Sequence, residues 1–229
     1  MKPTALSLLL LSFSALYAQS LPVTWKTESA SKPGFYKASA KHAVFGGSGA
    51  LIKYTNSMLT GEAKRAVTAF KTESAGMDKP RYPYSFEMSN EVVYSSPTLI
   101  STLTTIFWDT AGAHPNTDYT TQNFAIVNGA PGRLGLLNIL KPGVRPGQID
   151  DLLMAKLRDL GAQEVLDNNI PYFTPPQRDR FTINKNGLNY IFPPYDVGYY
   201  AQGSFRVLLN WNELAPYVKM DGVFKQFAK

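Results

Sequence analysis

Gly112, Ala113, His114, Pro115 and Asn116 hold the side chain best suited to chemistry in this sequence, a histidine set directly before a proline. A residue preceding proline is held extended. An imidazole fixed in that way can act as a hydrogen-bond hub, a general base or a metal ligand. Asp109 and Asp118 flank it as the carboxylates able to orient it. Two readings stay open: a loop histidine that organises a turn, and a base oriented by Asp109 or Asp118 in a small hydrolase.

Other constellations offer less. A zinc site needs three or four protein ligands, and the chain has His42, His114 and no cysteine. Gly46, Gly47, Ser48, Gly49 and Ala50 lack the final glycine of a nucleophile elbow, so Ser48 reads as a helix cap. The paired Asp150 and Asp151 stand where a helix should start, and the helix dipole accounts for them there. Glu213 and Asp221 have no evident partner, and glycine-rich phosphate loops are absent. No catalytic set is visible, and no cofactor is expected. The aromatics Tyr195, Tyr199 and Tyr200 read either as a cap on the core or as amphipathic contact area of the kind that glycan-binding surfaces and interfaces use. The candidate binding residues are therefore His114, Asn116, Tyr195 and Tyr199.

These residues must be positioned by strands. Tyr82 to Val127 reads as the main sheet, an antiparallel meander rich in β-branched threonine between Thr98 and Thr105. The His114 loop lies within it. Phe181 to Tyr200 gives the clearest hairpin: Phe181 and Ile183 alternate, Asn184 to Gly187 form the turn, and Leu188, Tyr190 and Phe192 alternate back to Pro193 and Pro194. Phe205, Val207, Leu209 and Trp211 continue it as the next strand.

Upstream, Ser20 to Pro33 reads as a mixed lead-in and Gly34 to Phe45 as one or two strands. Ala50 to Lys71 carries apolar residues at helical spacing, with Gly61 as a point of kink or break. Leu134, Leu136 and Leu137 read as a short strand, Ile149 to Leu160 as a helix closed by Gly161, and Asn212 to Phe227 as a helical tail. The expected class is α+β: an antiparallel sheet with an N-terminal helix, then a smaller C-terminal half of helix plus hairpin. Residues 19–143 form the first half and 144–229 the second, with the boundary in the proline- and glycine-rich Pro142 to Gly147.

Lys2, the apolar run Ala5 to Leu16 and the small Ala18 have the pattern of a secretory signal peptide over residues 1–18. The expectation is a secreted or periplasmic chain with no transmembrane segment after the signal. Of its 229 residues 44% are hydrophobic and 17% charged, which argues against extended disorder. The net charge of +6 is scattered, without the basic stripe of a nucleic-acid surface, and nucleic acid is not expected as a partner.

Two segments together carry a family resemblance. Gly112 to Asn116, followed by Asn123 and Phe124 and the turn at Asn128 and Gly129, resembles a GAHP-type signature. Phe181, Gly187, Leu188, Phe192, Pro194, Tyr195, Asp196, Val197, Tyr200, Ala201 and Gly203 resemble the closing signature of the same family. That family is the extracellular domain of RsiV-type anti-sigma factors, found also as the noncatalytic N-terminal region of PdaC-type peptidoglycan deacetylases. The resemblance implies an α+β domain outside the membrane, acting at the cell envelope. In the anti-sigma relatives it receives lysozyme; in the deacetylase relatives it accompanies a separate catalytic domain. These residues contain neither a sigma-binding segment followed by a membrane helix nor the deacetylase metal-binding Asp and His motifs. The implied role is binding without catalysis, to cell-wall glycan or to an envelope protein such as a lysozyme-like hydrolase. A net charge of +6 gives no long-range steering towards a basic lysozyme.

Overall fold

The computed structural model describes residues 20–227; the signal-peptide segment 1–18 lies outside them. Ser20 to Pro33 is not a lead-in. It contains β1 (Val23–Lys32), which pairs antiparallel with β2 (Tyr36–Phe45) and leaves most of its side chains in solvent. A strand whose side chains are mostly in solvent needs no apolar alternation, which is why its pattern is weak.

From β2 the chain enters α1 (Ala50–Ala75), a helix unbroken at Gly61. Gly49 holds its N-cap position, and no side chain, Ser48 included, caps it. Leu51, Ile52, Leu59, Ala63, Val67 and Phe70 form its buried stripe. The helix carries the chain across the sheet to β3 (Tyr84–Ser95), which pairs parallel with β2. A parallel pair requires such a crossover. The sheet is otherwise antiparallel, as expected: β4 (Leu99–Asp109), β5 (Asn116–Val127) and β6 (Ala130–Arg133) follow in meander, giving six strands in the order β1 to β6.

The α1 face of this sheet holds two apolar clusters. One gathers Tyr36, Ala38, Ala40, Phe70, Phe86 and Met88; the other gathers Ala43, Phe45, Leu51, Leu59, Ile100 and Phe124. Between them runs a polar seam. On it His42 Nε2 meets Thr60 Oγ1 at 3.1 Å, Asn90 donates to Thr104 Oγ1 at 3.0 Å, Gln122 donates to Glu62, and Arg133 donates to Gln122 at 3.0 Å.

Leu134 begins a turn into helix rather than a strand, and α2 (Leu136–Ile139) follows, its first amide donating to Asp179 Oδ1 at 2.6 Å. Next come α3 (Gly147–Asp159), α4 (Gln163–Leu166) and α5 (Pro175–Arg178). A three-stranded antiparallel sheet of β7 (Phe181–Asn184), β8 (Gly187–Phe192) and β9 (Phe205–Asn210) ends in α6 (Trp211–Leu214). The tail beyond is not one helix but α6 and a 3-10 turn at Gly222–Phe227. Trp211 lies flat on Phe227, with ring centroids 5.0 Å apart, and Phe224 completes the cluster.

The small sheet and its helices share one core with Leu99 and Ala125, the large-sheet residues that face away from α1. Side chains join the two sheets. Ser101 Oγ accepts the Ile183 amide at 2.8 Å and donates to Asn123 Oδ1 at 2.7 Å, and Asn123 donates to the Phe181 carbonyl at 2.8 Å. The outer edge of β7 therefore has its backbone groups satisfied by the large sheet.

Candidate functional site

The β4–β5 hairpin closes through the His114 loop. Asp109 Oδ1 accepts the Ala111 amide at 2.8 Å, a side-chain turn that lets Ala111 take a left-handed φ of 58°. Pro115 then delivers the chain into β5. His114 folds over this junction: its Nδ1 lies 2.9 Å from the Pro115 carbonyl oxygen and its Nε2 3.3 Å from the Tyr195 hydroxyl. A carbonyl only accepts, so Nδ1 carries the proton; in the neutral ring Nε2 accepts from Tyr195. Its ring also stacks on Tyr200 at 3.9 Å, and Tyr200 donates to the same Pro115 carbonyl at 2.9 Å.

The opposing wall comes from the chain leaving β8. Pro193 and Pro194 stop the ladder, as proline must, and Tyr195 turns the chain with a φ of 72°. That conformation costs a non-glycine residue about 1–2 kcal/mol. Tyr195 is nevertheless 62% exposed, so burial of its ring does not compensate the strain. Tyr195 and Tyr200 stand at 5.4 Å, with His114 beside both.

Between these walls lies a cleft of about 250 Å³. Trp108, Asn116 and Asp118 line it from the large sheet, and Arg180, Asp196 and Tyr195 from the small one. Arg180 and Asp196 form an ion pair, so the lining carries a fixed dipole alongside the Asp118 carboxylate.

The structure thus brings His114, Asn116 and Tyr195 together. Tyr199 points elsewhere: its hydroxyl meets Asp167 Oδ2 at 3.3 Å, and the negative charge of Asp167 raises its pKa. Neither aspartate proposed to orient His114 hydrogen-bonds to it. Asp109 serves Ala111 and lies 3.5 Å from the Tyr82 hydroxyl, while Asp118 Oδ1 accepts the Tyr119 amide at 2.7 Å. His42 is buried under α1, remote from this loop in the fold. Among the described residues no three His, Asp or Glu side chains converge as metal ligands.

Sequence reasoning did not name Trp108, Arg180 or Asp196 as site residues. Trp108 was legible only as a strand aromatic, although it pairs with Asn116 across the hairpin. Asp196 and Tyr200 stood in the closing signature; Arg180, next to Phe181, carried no signal of its own.

Residues 138–212 match the family described as "Protein of unknown function (DUF3298)". DUF3298 is the domain type found in RsiV-like and PdaC-like proteins. The matched region contains the whole closing signature and the Tyr195 wall, and excludes the His114 loop. No curated protein matches the chain. Among solved structures, a DUF3298 family protein from Pseudomonas aeruginosa PAO1 is similar in fold, with a TM-score of 0.63 at 14% identity over 88% of this chain and 96% of its own. A member of the DUF3298 family from Bacteroides fragilis NCTC 9343 gives 0.60 at 14% identity, over 91% and 98%. Both likenesses extend well beyond the matched segment, through the six-stranded sheet. At that identity they are likenesses of fold.

Proposed function

We propose that this is an exported, noncatalytic binding domain of the cell envelope, and that its cleft takes a segment of cell-wall glycan. The observation that carries the reading is Tyr195, strained at φ 72° yet presenting an exposed ring at the rim of a polar cleft. Backbone strain of this kind persists where the surroundings over-determine it and clusters at ligand clamps. Here His114 and Tyr200 hold the ring. An aromatic face beside fixed hydrogen-bonding groups suits a sugar, whose apolar ring face stacks while its hydroxyls and acetamido groups reach polar partners. Asn116, Asp118 and the Arg180–Asp196 pair supply them. Export rests on the pattern of residues 1–18 and on the family resemblance.

Pull-down on purified peptidoglycan, with calorimetry against soluble wall fragments, tests this reading. Micromolar binding is expected, weakened about thirtyfold or more in Tyr195→Ala if the ring is a central contact. Absence of binding to every wall fragment, or an unchanged affinity in Tyr195→Ala, would overturn it. A parallel panel of lysozymes separates the other envelope ligand: tight binding there and none to glycan moves the assignment to a protein partner.

A further inference from the structure

A second, larger hollow lies at the opposite end of β8. The strand runs from Gly187 to Phe192, so its two ends are separated by roughly 16 Å at about 3.3 Å per residue. At the Phe192 end stands the cleft just described. At the Gly187 end the hairpin turn, the β9–α6 junction and the 3-10 turn enclose about 510 Å³, within the usual range of small-ligand sites.

Its chemistry differs from that of the first cleft. Trp211, Met220 and Phe227 make an apolar floor, and Lys185, Asn186 and Asn212 line it with polar groups. The floor is fixed: Trp211 donates its indole N–H to the Asn184 carbonyl at 3.2 Å and stacks on Phe227. Among the described residues, the side-chain amides of Asn186 and Asn212 have no hydrogen-bond partner, and no carboxylate lies within ion-pair distance of Lys185. The backbone nearby is satisfied, with the Asn186 carbonyl accepting the Trp211 amide at 3.2 Å. The hollow thus offers one cation, two free amides and an apolar base, without an acidic group in its lining.

We infer that this hollow binds a short peptide ending in a free carboxylate. The carboxylate sits at Lys185, peptide amide groups pair with Asn186 and Asn212, and a small apolar side chain rests on Trp211 and Met220. Each amide side chain carries both a donor and an acceptor, the complement of a peptide unit. A lysine that no carboxylate among the described residues pairs with favours an anionic end over a neutral one, and a charge-assisted hydrogen bond is roughly twice as strong as a neutral one.

The test is a titration of the isotope-labelled protein with N-acetyl-alanyl-alanine and, separately, with its C-terminal amide, followed by NMR. The expected result is a saturable shift of the Trp211 indole and of the Asn186 and Asn212 side-chain amides, with the free acid binding about tenfold tighter than the amide. In Lys185→Gln, at an exposed turn position where the fold does not depend on it, the acid and the amide should bind alike. No saturable shift in the wild type up to millimolar peptide, equal affinity for acid and amide, or an undiminished preference in Lys185→Gln would each overturn the proposal. Unaltered signals from Tyr195 and His114 during the titration separate this hollow from the glycan cleft. Shifts confined to those two residues would reject the assignment of the site.

Discussion

Asp150 tests whether a carboxylate at a helix start is there for the helix dipole or for a buried partner. Its sequence position in the first turn of α3 suggests the dipole, which is worth about 0.3–1 kcal/mol at a surface. The structure gives it a different environment. The residue is buried, Arg178 Nε and Nη2 donate to its two oxygens at 2.9 and 2.6 Å, and the Phe173 amide donates to it at 3.3 Å. The pair holds the Arg178 guanidinium above its ordinary pKa, chiefly through this hydrogen bonding. Asp150→Ala would leave a guanidinium only 22% exposed and a buried amide without their acceptor. Removing one partner of such a pair costs about 3–5 kcal/mol, and partial access of water to Arg178 places the expectation near the lower figure. For a domain of this size that is a fall in Tm of roughly 6–12 °C. Urea unfolding of Asp150→Ala, with Asp151→Ala as the exposed control in the same turn, decides the matter. The control should lose under about 0.5 kcal/mol. A loss under about 1 kcal/mol for Asp150→Ala would return the residue to the dipole and refute the buried-pair reasoning.

Gly187 has a φ of 152°, and a Cβ there would meet the Leu209 carbonyl and lie 2.8 Å from Asn210 Cα, so Gly187→Ala should lower stability by about 3 kcal/mol or more in urea titration. At Tyr195 both Tyr195→Ala and Tyr195→Gly lose the ring, yet the glycine variant should be the more stable by about 1 kcal/mol, because only glycine takes φ 72° freely; equal midpoints would deny that strain. Burial lowers the pKa of His42 below 6.5 despite the opposing Glu28, so the unfolded chain binds its proton more readily. Stability should therefore be level above pH 6.5 and fall as pH drops below it, a slope that His42→Gln removes. Burial raises the pKa of Glu62 above 4.5, so it contributes the reverse, a stabilisation at low pH that is lost as pH rises through the raised value; Glu62→Gln should abolish that component in the same pH series.

The legibility of the fold followed the strength of its local patterns. β9 and α3 bury one face each, the β7–β8 hairpin alternates its large apolar residues although both of its faces are covered, and Pro193, Gly187 and Gly161 interrupt these runs, so period and punctuation agreed. β1 failed that test because nothing covers most of its side chains. The β2–β3 pairing is decided by where α1 crosses, a tertiary fact with no local sign. Leu136 and Leu137 misled because a four-residue helix is too short to display a period of 3.6. In the site, His114 and Tyr195 were found through residue type, while Arg180 depended on contacts between segments distant in sequence. Tyr199 resembled its neighbours in type and differed only in direction, outward to Asp167.

The cleft belongs to both sheets, and this determines what its parts can do separately. The family match at residues 138–212 contains Tyr195, Asp196 and Tyr200 but not the His114 loop that holds the two tyrosines. The likeness of fold to the two solved DUF3298 structures, by contrast, runs over most of the chain. A left-handed tyrosine costs about 1–2 kcal/mol. Its hydrogen bond to His114 returns about 1 kcal/mol, and the aromatic contacts with His114 and Tyr200 about 0.5–1.5 kcal/mol each. These contacts offset the cost, and the two made by His114 exist only while the hairpin end of the large sheet remains opposite the small one. Ser101 and Asn123 maintain that placement by satisfying the backbone of β7. The six-stranded sheet is then the part that makes the Tyr195 conformation affordable, and the matched segment by itself would carry one wall of the cleft, without Trp108, Asn116 and Asp118 opposite it.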